Sequence, residues 1–93
     1  MLFRSIEVES LSQLKIALDA GAKLILLDNF GLSDLRKAVS LNAGRAILEA
    51  SGGIDLANVR EIALTGVNRI SIGSLTKNVQ AIDFSMRFNL SAL

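Results

Sequence analysis

Gly21-Ala22-Lys23-Leu24-Ile25-Leu26-Leu27-Asp28, Gly44-Arg45-Ala46-Ile47-Leu48-Glu49-Ala50-Ser51 and Gly66-Val67-Asn68-Arg69-Ile70-Ser71-Ile72-Gly73 are three versions of one phrase. Each opens on a glycine, runs through apolar residues and closes seven positions later on a polar residue or a glycine. The opening glycine reads as a helix C-cap and the apolar run as a short buried strand. The closing residue then stands at the strand's C-terminal end, the side where parallel α/β folds bind ligands. One phrase therefore proposes both a fold and a functional rim.

The segments around these strands read as helices. Ser10 and Gln13 have capping-box spacing, and Leu11, Leu14, Ala17 and Leu18 fall on one face of the helix that follows. Ser33 can cap a second helix, with Leu35, Ala38 and Val39 inward. Asp55 can cap a third, with Leu56, Val59, Ile62 and Ala63 as its apolar face. A short helix is expected over 75–79. Ile6-Glu7-Val8-Glu9 alternates like a first strand, and Asp83-Phe84-Ser85-Met86-Arg87-Phe88 like a last one.

Strands alternating with helices imply a parallel sheet. Repeats of about 22 residues suit an α/β barrel, with an open flavodoxin-like sheet as the alternative. The expected architecture is α/β: four βα units forming part of an incomplete barrel over 6–81, then a strand-like tail over 82–93. Residues 1–5 read as a non-native or disordered start, and an upstream part of the chain is expected. Part of a barrel leaves sheet edges uncovered, so a partner segment or self-association is expected too.

Composition narrows the chemistry. The 93 residues are 51% hydrophobic and 20% charged, which suits a packed core. A net charge of +1 gives no electrostatic case for nucleic acid or an anionic membrane. No apolar run approaches the roughly 18 residues of a membrane span, and nothing resembles a signal peptide, so a cytoplasmic location is expected. Without cysteine or histidine there is no disulfide, no thiolate metal site and no imidazole base.

The candidates for chemistry lie at strand ends. Ser51-Gly52-Gly53 follows a strand and precedes the helix that Asp55 would open, so backbone N–H groups, the Ser51 hydroxyl and a helix dipole could receive a phosphate. Ile72-Gly73-Ser74 repeats the arrangement one unit later, and barrels seat phosphates between two late strands. Lys77 lies within reach of that second turn or else is an exposed helix charge. Glu7 and Asp28 are carboxylates suited to sugar hydroxyls or Mg²⁺. Glu49, inside an apolar strand, needs a cationic partner from outside the chain or a buried polar network. Lys15, Arg36, Lys37 and Arg60 read as solvated helix charges.

Glu7-Val8-Glu9-Ser10-Leu11, Leu26-Leu27-Asp28-Asn29-Phe30, Leu48-Glu49-Ala50-Ser51-Gly52-Gly53, Thr65-Gly66-Val67, Ser71-Ile72-Gly73-Ser74-Leu75-Thr76 and Asp83-Phe84-Ser85-Met86-Arg87-Phe88 occur in that order. Together they resemble the C-terminal part of the quinolinate phosphoribosyltransferases, the carboxylating nicotinate-nucleotide pyrophosphorylases. A homologous family linked to molybdenum transport shares several of these motifs. The resemblance implies an enzyme of NAD biosynthesis that joins quinolinate to phosphoribosyl pyrophosphate with Mg²⁺ and releases pyrophosphate and CO2. It maps the ribose- and metal-side carboxylates onto Glu7 and Asp28. It maps the phosphate turns onto Ser51, Gly52, Gly53, Ile72, Gly73 and Ser74. It also implies quinolinate-gripping Arg, Lys and His residues upstream of this region, a closing strand at 83–88 returning to an N-terminal domain, and a site completed by a second subunit. The chain alone is then expected to be an inactive fragment. The alternatives are a non-catalytic half barrel that binds phosphorylated ligands, or a molybdenum-transport-linked homologue with another substrate.

Overall fold

The computed structural model describes residues 5–72 and, for the backbone, 80–83. The elements in chain order are β1 (Ile6–Val8), α1 (Leu11–Asp19), β2 (Leu24–Asp28), α2 (Leu32–Asn42), β3 (Ile47–Ser51), α3 (Val59–Ala63), β4 (Arg69–Ile72) and β5 (Gln80–Asp83). The five strands form one sheet in sequence order, with β1 to β4 parallel and β5 antiparallel to β4. A flavodoxin-like sheet reverses its strand order at a switch point, whereas a barrel lays each new strand beside the last. The unbroken order selects the arc of an incomplete α/β barrel.

Local signals set most of the boundaries. The Gln13 N–H donates to Ser10 Oγ at 3.2 Å, and Gln13 Oε1 accepts from the Glu9 N–H at 2.7 Å. The first satisfies a donor that the first turn of α1 leaves free, and the second ties the residue before the Ser10 cap to that turn. Gly21, Gly44 and Gly66 all follow helices at positive φ, as the repeated phrase predicts.

Three expectations about helix starts and faces are corrected. α2 begins at Leu32 behind Gly31, with no side-chain cap, so Ser33 lies inside the helix. Asp55 does not open α3. Its Oδ1 accepts from the Ala57 and Asn58 N–H groups at 2.8 and 3.2 Å and closes a turn, and α3 begins only at Val59. Leu56 lies on that turn and is 65% exposed, so it is not part of the apolar face.

The sheet has two different faces. Side chains alternate along each strand, and Val8, Ile25, Leu27, Leu48, Ala50, Ile70 and Ile72 point to the helix side. They pack there with Leu14, Ala17, Leu18, Leu35, Ala38, Val59 and Ile62 as the core. The alternate set, Glu7, Leu26, Glu49 and Arg69, forms one rung of directly paired residues on the opposite face. No described helix packs on that face, and Leu24, Leu26 and Asp28 are only half-buried. β2 looks uniformly apolar in sequence, but only its helix side is fully buried.

The last strand begins earlier than the alternation at 83–88 suggests. Gln80 to Asp83 already pair with Ile72 to Arg69, so the sheet reaches across the boundary expected at 81. The helix expected over 75–79 and residues 84–88 lie outside the described residues.

Candidate functional site

The open face of the sheet carries two polar groups of residues, one at the rim and one a rung deeper. At the rim, Asp28 and Ser51 are the last residues of β2 and β3 and are paired in register. Glu7 is central in the three-residue β1 and pairs with Leu26, one alternate position short of Asp28. A side-chain hydrogen bond joins Glu7 to Asp28. That bond, followed by repulsion from the Asp28 charge, raises the Glu7 carboxyl above its ordinary value. The two carboxylates singled out from sequence therefore meet, and each makes the other's company costly while both are charged.

Beyond Ser51 the chain turns through Gly52 (φ +87°) and Gly53 (φ +66°). The Asn29 N–H donates to the Ser51 carbonyl at 2.9 Å, tying the end of β2 to this turn. A Cβ on Gly52 would lie 2.7 Å from Asn29 Oδ1 and 2.9 Å from Asp28 Oδ1, so only glycine admits the two side chains. Asn58 Nδ2 donates to the Gly53 carbonyl at 3.0 Å and fixes the turn from the other side. Since α3 has five residues and starts well after Gly53, its dipole adds little. An anion here must rely on the N–H groups of the turn and the Ser51 hydroxyl.

The deeper group centres on Glu49. Its side chain is 9% exposed, and its Oε1 lies 3.2 Å from Arg69 Nε. The Ser71 hydroxyl donates to Glu49 Oε2. The cation that Glu49 requires is thus in the chain itself, on the neighbouring strand, and the alternative of a partner from outside is not needed. Arg69 escaped the sequence reading because the glycine phrase aligns Glu49 with Ser71, whereas β4 is set two residues along from that alignment. Parity within the strand was the available signal, since Arg69 and Ser71 share a face.

Ile72 is 8% exposed and faces the helices, so it can offer a ligand only its backbone. Gly73, Ser74 and Lys77 lie outside the described residues. At the opposite ends of the strands, Lys23, Asn42, Arg45 and Asn68 line a cavity of about 420 Å³. Its two asparagines are already engaged with the Ala46 and Leu48 backbones, and it lies far from the carboxylate rim. No cluster of three or more acidic, histidine or cysteine ligands occurs among the described residues. No helix among them is long and apolar enough to cross a membrane.

Sequential parallel βα units with a carboxylate and glycine rim define a segment of an α/β barrel. The family model for the quinolinate phosphoribosyl transferase C-terminal domain matches residues 3–87, and the chain belongs to that family. It is 41% identical over 86 residues to a probable carboxylating nicotinate-nucleotide pyrophosphorylase of Bacillus subtilis, covering 92% of this chain and 30% of that one. The rat carboxylating nicotinate-nucleotide pyrophosphorylase is 39% identical over 85 residues, 88% of this chain and 28% of its own. The crystal structure of the Ehrlichia chaffeensis nicotinate-nucleotide pyrophosphorylase superposes with a TM-score of 0.77 at 43% identity, covering 87% of this chain and 30% of that one. The corresponding Francisella tularensis structure gives 0.75 at 44% identity, covering 85% and 28%. The chain thus spans under a third of the length of these relatives.

Proposed function

We propose that this chain forms the ribose- and phosphate-binding wall of a carboxylating nicotinate-nucleotide pyrophosphorylase, an enzyme joining quinolinate to phosphoribosyl pyrophosphate. The observation that carries the reading is the convergence of the Glu7–Asp28 pair and the Ser51-Gly52-Gly53 turn on one rim. Carboxylates accept hydrogen bonds from ribose hydroxyls, and exposed turn N–H groups donate to a 5′-phosphate. Holding both ends of the sugar orients its anomeric carbon as pyrophosphate departs. With the ribose hydroxyls on Glu7 and Asp28, their negative charge would favour the positive charge that develops on the ribosyl centre.

Mg²⁺ fits the same carboxylates. It is commonly held by one or two carboxylates together with substrate phosphates, and Glu7 and Asp28 offer such a pair, whose mutual repulsion a cation would relieve. When bound, the ion neutralises the charge of the departing pyrophosphate. Decarboxylation needs cations on the quinolinate carboxylates. This chain has no histidine, Arg69 is paired with Glu49, and Arg36 and Lys37 stand exposed on α2. The chain alone is therefore inactive in this reading, and the complete site draws its cations from other sequence. Self-association and a cytoplasmic location belong to the same reading.

The test is a titration of the ¹⁵N-labelled 93-residue chain with ribose 5-phosphate and MgCl₂, and separately with quinolinate. Shifts of the Gly52, Gly53 and Asn29 amides with the sugar phosphate, and none with quinolinate, are expected. An unresponsive rim sinks the site assignment. Conversion of quinolinate to nicotinate mononucleotide by this chain alone sinks the claim of inactivity.

A further inference from the structure

We propose that Asn29 is a positioning residue for this rim. By taking a left-handed backbone conformation immediately after β2, it turns its own carboxamide to the side where Asp28 already points, so that both side chains meet Gly52. The inference rests on the ribose-phosphate reading for its ligand, and on geometry alone for the positioning.

Neighbouring residues of an extended strand point to opposite faces, so Asp28 and Asn29 should diverge. They do not: the Oδ1 atoms of both lie within 3 Å of the place a Gly52 Cβ would take. The cause is φ +59° at Asn29, one of two non-glycine residues with positive φ among those described. Asparagine tolerates that region better than other side chains, and β-branched residues hardly enter it. The conformation is locked by the Asn29 N–H donating to the Ser51 carbonyl at 2.9 Å. Backbone strain held by surrounding bonds is characteristic of sites where the placement of a side chain matters. Here it brings the Asp28 carboxylate, the Asn29 carboxamide and the glycine turn to one point, without the side chain of Asn29 having to touch a ligand.

The experiment compares Asn29→Val, which resists a positive φ, with Asn29→Gly, which accepts it but lacks the carboxamide. Both are made in the full chain and probed with ribose 5-phosphate and MgCl₂. NMR contacts between the Asp28 and Gly52 protons are read without ligand. Asn29→Val is expected to lose those contacts and to bind the sugar phosphate about tenfold more weakly, a factor worth 1.4 kcal/mol. Asn29→Gly is expected to rescue most of both losses. Contacts and affinity unchanged in Asn29→Val overturn the proposal. So does a folded Asn29→Gly that loses as much as Asn29→Val, because the carboxamide itself would then be the contact. If Asn29→Val does not fold, Asn29→Gly against the parent chain decides the same point. Should the parent chain bind no sugar phosphate, the functional reading falls. The Asp28–Gly52 contacts in the two variants still decide the positioning.

Discussion

Glu49 and Arg69 stand side by side in register on neighbouring strands, with Arg69 Nε 3.2 Å from Glu49 Oε1, on the sheet face that no described helix covers. The Ser71 hydroxyl donates to the other carboxylate oxygen, so Glu49 has a partner on each. Removing Arg69 would leave a carboxylate that is 9% exposed without its counter-charge. Arg69→Met is expected to cost about 1–3 kcal/mol, below the figure for a fully buried pair because Arg69 itself is partly solvated. Glu49→Leu combined with Arg69→Leu should cost less than the sum of the two single changes. Urea denaturation of the four proteins completes the cycle, and additive costs would mean that the pair is not coupled.

The Glu7–Asp28 pair makes stability depend on pH in a definite direction. The folded chain holds the Glu7 proton above the usual carboxylate value of 4.5, because Asp28 hydrogen-bonds it and repels its charged form. Folding is therefore helped by that proton below about pH 4.5, and the help is lost as pH rises through the raised folded value. Melting temperature should fall over this window in the parent chain, and Glu7→Gln should flatten the fall. At neutral pH, MgCl₂ should raise the melting temperature of the parent chain and leave that of Glu7→Gln unmoved. Equal pH profiles would assign the dependence to another group.

How much of this was legible follows from the range of each signal. The first four strands, the glycine helix ends and the Ser10 cap are local, and they are found close to where the periodicity and spacing put them, whereas β5 is not. Asp28 and Ser51 could be placed on a common rim because each closes the same phrase. The Glu49–Arg69 pair needs the register between strands, which a repeat does not supply when one strand is offset by two residues. The start of α3 is not legible at Asp55, because Asp55 forms the same bonds in a turn as in a cap, and the five-residue helix behind it leaves Leu56 in solvent. The left-handed turn at Asn29 has no periodic signature, since asparagine allows that backbone without requiring it.

Asn42 is the clearest purely structural polar group. It is 4% exposed at the end of α2, its Nδ2 donates to the Ala46 carbonyl at 2.8 Å, and its Oδ1 accepts from the Ala46 N–H at 2.9 Å. The side chain thereby serves both backbone groups of the residue that leads into β3. Asn42→Leu has the right size but leaves that donor and acceptor buried, at a cost of about 2–4 kcal/mol. Thermal unfolding should show this loss while the response of Gly52 and Gly53 to ribose 5-phosphate stays as in the parent chain, because Asn42 lies at the far ends of the strands. A loss below about 0.5 kcal/mol would mean that water takes over both bonds.

Gly52 and Gly44 separate backbone strain from site geometry. Both have positive φ, +87° and +78°, so alanine at either should cost about 1–2 kcal/mol of stability. Their surroundings differ. A Cβ at Gly44 meets nothing within 4 Å, whereas one at Gly52 meets Asn29 Oδ1 at 2.7 Å and Asp28 Oδ1 at 2.9 Å. Those atoms end short side chains that can swing away, so the fold survives but the rim does not. Gly44→Ala should therefore be destabilised and bind ribose 5-phosphate normally. Gly52→Ala should be destabilised by a similar amount and bind about tenfold more weakly, the factor that 1.4 kcal/mol makes. Calorimetric unfolding and binding titrations on the two variants check both halves. Normal binding by Gly52→Ala would show that the ligand is held without the Asp28 carboxylate where this structure puts it.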